Sequence, residues 1–206
     1  RAVLDVPTGA GSYVNVGPTN SYGQSISVSQ TNPNLMFLSG YIYTGSTYQP
    51  VVYRSTDGGT NWSDVTPAGT TGEYYSYSVA VSPTDQNLVL FATYYNMYRS
   101  TDGGTSWTKV TNNQYYNYCV TFSAADPSLV YSGGYGSIYR STNAGLTWTS
   151  YATGLPSQPF QGLAADWSNA AKAYTGCLVG FYRSTTTGTS WLASNTGLLL
   201  GKIYAI

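Results

Sequence analysis

The chain has 206 residues, eight basic and eight acidic side chains and no histidine, so its formal net charge is zero. Charged residues make up 8% of it, against roughly 25% in a typical soluble protein, while tyrosine alone contributes 22 residues. This balance excludes the basic footprint with which nucleic-acid binders displace counterions, and no apolar run approaches the about 18 residues that a membrane span requires.

In chain order, the first readable segment is "LDVPTGAGSY" (Leu4 to Tyr13), a weak relative of a motif that returns four times. The copies are "YRSTDGGTNW" (Tyr53 to Trp62), "YRSTDGGTSW" (Tyr98 to Trp107), "YRSTNAGLTW" (Tyr139 to Trp148) and "YRSTTTGTSW" (Tyr182 to Trp191). Their tryptophans are 45, 41 and 43 residues apart, a period that signals a repeat architecture. A second landmark precedes each copy: "VSQTNPNLMFLSG", "VSPTDQNLVLFAT", "FSAADPSLVYSGG" and the looser "ADWSNAAKAYTG".

Between the landmarks lie short runs rich in Val, Tyr, Thr and Phe, bounded by Gly, Pro, Asn and Asp, which read as strands. Four fit each unit. Strand A ends at the S-x-x-D/N turn, B follows it, C carries "YRS" and D starts near the tryptophan. Four short antiparallel strands at this period predict an all-β fold, a β-propeller of four-stranded antiparallel blades. The blades fall at approximately 24–67, 75–111, 117–153 and 160–196, within a single domain over 1–206. Residues 1–17 would supply part of a fifth blade, with a closing strand at 202–206. The alternative is a fragment of a larger propeller.

The boxes "STDGGTNW", "STDGGTSW" and "STNAGLTW" resemble the Asp-box, also called the BNR repeat, with pattern S/T-x-D-x-G-x-x-W. That repeat occurs in propellers of sialidases, xyloglucanase-type glycoside hydrolases, sortilin-type receptors and photosystem assembly factors. The resemblance covers about Ile26 to Trp191 and implies the fold. It implies no single function, because enzymes, receptors and assembly factors share it. It also implies that the boxes sit on the face opposite an active site. Asn143 and Thr186 depart from the pattern by replacing the aspartate.

The residue types of the box suit a staple between strands C and D. Asp57 and Asp102, with Asn143 in the third copy, fit side chains that accept hydrogen bonds from backbone N–H groups just ahead. Trp62, Trp107, Trp148 and Trp191 each offer a large ring to bury. Arg54, Arg99, Arg140 and Arg183 occupy equivalent places in their own blades, so they form a ring and do not converge on one anion.

Most glycosidases need two carboxyl groups roughly 5 to 9.5 Å apart. Asp57, Asp85, Asp102 and Asp126 belong to turns of the box face, and Glu73 is the one acid assigned to the opposite face, where it reads as a solvated surface charge. With no His and two dispersed cysteines, no catalytic residue, metal or cofactor is expected. Cys119 and Cys177 read as buried free thiols, with one bridge as the alternative.

The D–A and B–C loops concentrate Tyr beside Asn, Gln, Ser and Gly, as antibody paratopes do. Tyr74, Tyr75, Tyr94, Tyr95, Tyr115, Tyr116 and Tyr135 are the candidate ligand-binding residues, about half of them expected to be structural. The favoured reading is a secreted or extracellular, non-catalytic binding or assembly module that holds a glycan or protein partner. The near-zero charge also permits self-association. The other reading is a fragment or relative of an Asp-box glycoside hydrolase, xyloglucanase-like or sialidase-like. The start at Arg1, without an initiator Met or signal peptide, reads as a processed or truncated end.

Overall fold

A computed structural model describes residues 21–110 and 116–198. The expected partial blade at 1–17, the closing strand at 202–206 and Tyr115 lie outside the described residues.

Among the described residues sixteen strands form four sheets, each a meander in chain order. The first sheet comprises β1 (Ser21–Val28), β2 (Met36–Tyr43), β3 (Tyr48–Ser55) and β4 (Ser63–Asp64). The second comprises β5 (Ser76–Val81), β6 (Val89–Thr93), β7 (Met97–Ser100) and β8 (Thr108–Val110). The third runs through β9 (Cys119–Phe122), β10 (Val130–Gly133), β11 (Ile138–Ser141) and β12 (Thr149–Tyr151). The fourth runs through β13 (Gly162–Ala165), β14 (Ala173–Cys177), β15 (Gly180–Ser184) and β16 (Leu192–Ala193). All pairings are antiparallel, and the first strands β1, β5, β9 and β13 lie beside one another in turn. These are the blades of a β-propeller.

The packing explains why the second strands lack polar alternation. Every residue of β6, "VLFAT", is buried, because both faces of this strand are covered by protein. The core therefore lies between blades. Phe37, Val52, Val89 and Phe91 form one cluster across the first and second sheets. Leu90, Met97, Phe122 and Val130 form another across the second and third. Tyr131, Ile138, Phe160, Leu163 and Trp191 join the third to the fourth.

The repeated turn closes the end of each blade. In the first copy the Asn61 N–H donates to Asp57 Oδ1 at 2.9 Å, the Asn61 carboxamide donates to Asp57 Oδ2 at 2.7 Å, and the Gly59 N–H donates to Ser55 Oγ at 2.9 Å. The second copy repeats this through Ser100, Asp102, Gly104 and Ser106. Asn143 does the same with an amide oxygen, accepting from the Thr147 N–H at 2.9 Å. Thr186 keeps the bond with its hydroxyl, accepting from the Ser190 N–H at 3.1 Å. The turn needs an acceptor, and a negative charge is optional.

The same turns join neighbouring blades. Arg54 Nη1 donates to the Gly103 carbonyl at 2.9 Å, Arg99 Nε to the Ala144 carbonyl at 2.9 Å, and Arg140 Nη1 to the Thr187 carbonyl at 2.9 Å. Each of these arginines ties its own blade to the turn of the next. Gly104 has φ +79°, and a Cβ placed there would stand 2.7 Å from the Phe37 ring of the preceding blade. Replacing Gly104 by Ala therefore combines a left-handed backbone with overpacking, and about 2 to 4 kcal/mol of destabilisation is expected in urea unfolding.

Asp57 and Asp102 also give the fold an acid limit. Asp57 is held down to about 2, chiefly by the Asn61 N–H, then by the Asn61 carboxamide and the Ser55 hydroxyl. Asp102 is likewise held at about 2, first by the Ser106 hydroxyl and then by its N–H. A carboxyl depressed in the folded state contributes stability that is complete above its unfolded value near 4 and is lost as pH falls towards 2. Asp57→Asn with Asp102→Asn should leave the turns formed, as Asn143 does, and flatten the stability profile between pH 4 and 2. Acid titration followed by circular dichroism checks this; an unchanged acid slope contradicts it.

Candidate functional site: the tyrosine face

At the opposite end of the blades from the repeated turns, the D–A and B–C loops bring tyrosine rings into one unbroken series of contacts. Tyr22 stacks on Tyr41 with centroids 5.0 Å apart, and Tyr41 meets Tyr75 edge-on at 5.0 Å. The series continues from Tyr75 to Tyr77 at 6.1 Å, from Tyr77 to Tyr94 at 6.2 Å, and from Tyr94 to Tyr116 at 4.9 Å. Tyr116 then stacks on Tyr118 and reaches Tyr135 at 6.4 Å. Tyr74 and Tyr95 join from the side, Tyr95 meeting Tyr94 at 4.7 Å.

Backbone bonds fix the loops beneath these rings. The Tyr94 N–H donates to the Tyr75 carbonyl, the Tyr116 N–H to the Tyr94 carbonyl and the Tyr118 N–H to the Gly133 carbonyl. Further along, the Phe160 N–H donates to the Gly134 carbonyl, and Tyr135 pairs with Pro159 as an isolated bridge. The arc of rings thus runs across the first, second and third blades, and backbone contacts at Pro159 and Phe160 lead on towards the fourth. Tyr116 has φ +63°, a conformation that a bulky residue keeps only when its surroundings enforce it.

Of the sequence-derived candidates, Tyr74 and Tyr135 are exposed at 45% and 52%. Tyr75, Tyr94, Tyr95 and Tyr116 are half-buried and support the surface from within. Tyr115 lies outside the described residues. The cluster also holds Tyr22, Tyr41, Tyr43, Tyr48, Tyr77 and Tyr118, which were not among the candidates. For Tyr41, Tyr43 and Tyr48 the signal was present in "GYIYTGSTYQP", and for Tyr77 and Tyr118 in "GEYYSYS" and "NNQYYNY".

The face is electrically quiet. Burial, followed by neighbouring tyrosines, pushes Tyr77 up to about 12, and burial with the Tyr116 hydroxyl does the same for Tyr94. These rings stay neutral well beyond physiological pH.

Glu73 is not the solvated charge expected of it. It is 5% exposed, and its carboxylate accepts from Tyr98 OH at 2.7 Å, from Asn96 Nδ2 at 2.7 Å and from the Thr93 hydroxyl. Those partners come from β6, β7 and the turn between them, so Glu73 anchors the loop carrying Tyr74 and Tyr75 to the body of its blade. Among the described residues it is the only carboxylate at this end. Asp57, Asp102, Asp85, Asp126 and Asp166 all cap turns of the far end.

Cys119 and Cys177 are free thiols. Cys177 is buried, whereas Cys119 is half-buried beside the first strands. Burial pushes the Cys119 thiol up to about 12, which makes it a poor nucleophile at neutral pH.

No family model and no curated protein matches the sequence. Solved structures do match its shape. An ancestral GH74 enzyme superposes with a TM-score of 0.69 at 22% identity, over 87% of this chain and 25% of its own. Sqt1 from Chaetomium thermophilum superposes with a TM-score of 0.65 at 11% identity, over 90% of this chain and 52% of its own. The chain thus spans about a quarter and about half of these two proteins, and at such identities the likeness establishes the propeller fold alone.

Proposed function

We propose that the chain is a non-catalytic binding or assembly module, acting outside the cell, whose tyrosine face holds a glycan or protein partner. The repeated turns, read as Asp-boxes, are its scaffold. The observation that supports this most directly is the continuous, uncharged set of tyrosine rings on backbone-bonded loops. Such a surface loses little conformational freedom on binding, and Tyr supplies both apolar area and a hydroxyl.

A hydrolytic role would need a second carboxyl group within roughly 10 Å of the first on this face. Among the described residues Glu73 stands there alone, and its oxygens are occupied by Thr93, Asn96 and Tyr98.

An array of neutral and acidic oligosaccharides, with a displayed peptide library beside it, tests the proposal. Tyr74→Ala and Tyr135→Ala should each weaken the selected ligand about tenfold, the loss expected for an aromatic anchor. Asp57→Asn should bind as the parent does. Undiminished binding by both tyrosine variants would sink the assignment.

A further inference from the structure

The first strands of the four blades line an open cavity of about 450 Å³, bordered by Tyr77, Tyr118, Cys119 and Gln161 close to the tyrosine face and by Gln24 and Ser25 from β1. Its size falls within the roughly 300 to 1,000 Å³ of small-molecule sites. Among the described residues the lining contains no charged side chain. The rings of Tyr77 and Tyr118 stand 5.5 Å apart at its wall. The carboxamides of Gln24 and Gln161 make no hydrogen bond among the described residues, so each offers two donors and an acceptor to a guest.

These properties select a chemistry. A carboxylate, phosphate or ammonium group in the cavity would find no countercharge among the described lining residues. A purely apolar guest would cover the two carboxamides without pairing them. A sugar ring satisfies both kinds of wall, because it carries C–H faces that lie against aromatic rings and hydroxyls that both donate and accept.

We infer that this cavity is a subsite for one uncharged sugar residue, held by the Gln24 and Gln161 carboxamides against Tyr77 and Tyr118. The rest of the saccharide then leaves along the exposed tyrosines. This inference rests on the reading of the tyrosine face as a binding surface and names the class of ligand it takes.

Isothermal titration calorimetry with neutral gluco-, galacto- and manno-oligosaccharides, sialyl and galacturonate oligosaccharides, and an Asn/Gln-rich peptide provides the test. At least one neutral oligosaccharide should bind, and Gln24→Leu and Gln161→Leu should each weaken it about tenfold or more, the loss of one paired polar group. In the unsubstituted protein the same sugar should slow modification of Cys119 by a neutral thiol reagent at pH 9, a readout that does not depend on how the variants fold. If the sugar is lost in Tyr74→Ala and Tyr135→Ala while both glutamine variants bind normally and Cys119 labelling is unchanged, the cavity inference fails and the tyrosine face stands. Preference for acidic sugars, binding of the peptide instead, or no saccharide binding overturns the inference. Binding indifferent to the tyrosine variants as well removes the face reading with it.

Discussion

Trp191→Ala should destabilise the protein by about 3 to 5 kcal/mol, the usual cost of removing a fully buried aromatic ring, whereas Trp62→Ala should cost about 1 to 2 kcal/mol. The two residues hold the same place in the repeated turn, but their surroundings differ. Trp191 is 1% exposed and packs with Tyr131, Ile138, Phe160 and Tyr182 between the third and fourth blades. Its indole N–H donates to the Gly188 carbonyl at 3.2 Å, and its own N–H reaches the Thr153 carbonyl at 3.0 Å. Trp62 is half-buried against the small cluster of Leu38, Val51 and Tyr53. Urea unfolding of both variants at neutral pH measures the difference. Equal losses would mean that the blade-to-blade core is not where the energy resides.

Glu73→Ala is expected to cost about 3 kcal/mol and to loosen the tyrosine face at the same time. Truncation leaves Tyr98 OH, Asn96 Nδ2 and the Thr93 hydroxyl without their shared acceptor in a buried place, and hydrogen bonds to a charged group are worth about 1.5 to 3 kcal/mol each. The Thr93 hydroxyl recovers part of this by donating to the Asn96 carbonyl, 2.9 Å away. Glu73→Gln, which retains one carbonyl acceptor, should lose about half as much. Hydrogen exchange distinguishes a local from a global effect. The Tyr94 amide, bonded to the Tyr75 carbonyl, should exchange faster in Glu73→Ala under conditions where the Phe91 amide is still protected. Equal acceleration of both would show that Glu73 does not act on the loop in particular.

The scaffold was legible in the sequence because its determinants are local. Ser55, Asp57, Gly59 and Trp62 lie within eight consecutive positions and bond mostly to one another, so the motif carries its own geometry and its repetition supplies the fold. The tyrosine face was legible in part, since Tyr74, Tyr75, Tyr94 and Tyr95 come in conspicuous pairs. Its depth was not. Whether a tyrosine stands outward or supports a neighbour depends on loops from adjacent blades, as for Tyr94 between Tyr75 and Tyr116.

Glu73 was misread for the same reason. Its environment is made by Thr93, Asn96 and Tyr98, which nothing near position 73 announces. The four tryptophans looked equivalent although Trp107 sends its indole N–H to Val65 of the preceding blade, and Trp62, Trp148 and Trp191 send theirs to glycines of their own turns. Gln24 and Gln161 have no local signature at all. They line one cavity only because the first strands of four blades converge on it.

Hydrogen–deuterium exchange with and without the tightest ligand from the oligosaccharide and peptide arrays tests the central claim most directly. Protection should appear in residues 72–77, 94–96, 116–118 and 133–137, with the turns 55–62, 100–107, 141–148 and 184–191 exchanging as in the free protein. Protection confined to those turns, with the tyrosine loops unchanged, would contradict the division of the molecule into scaffold and binding face.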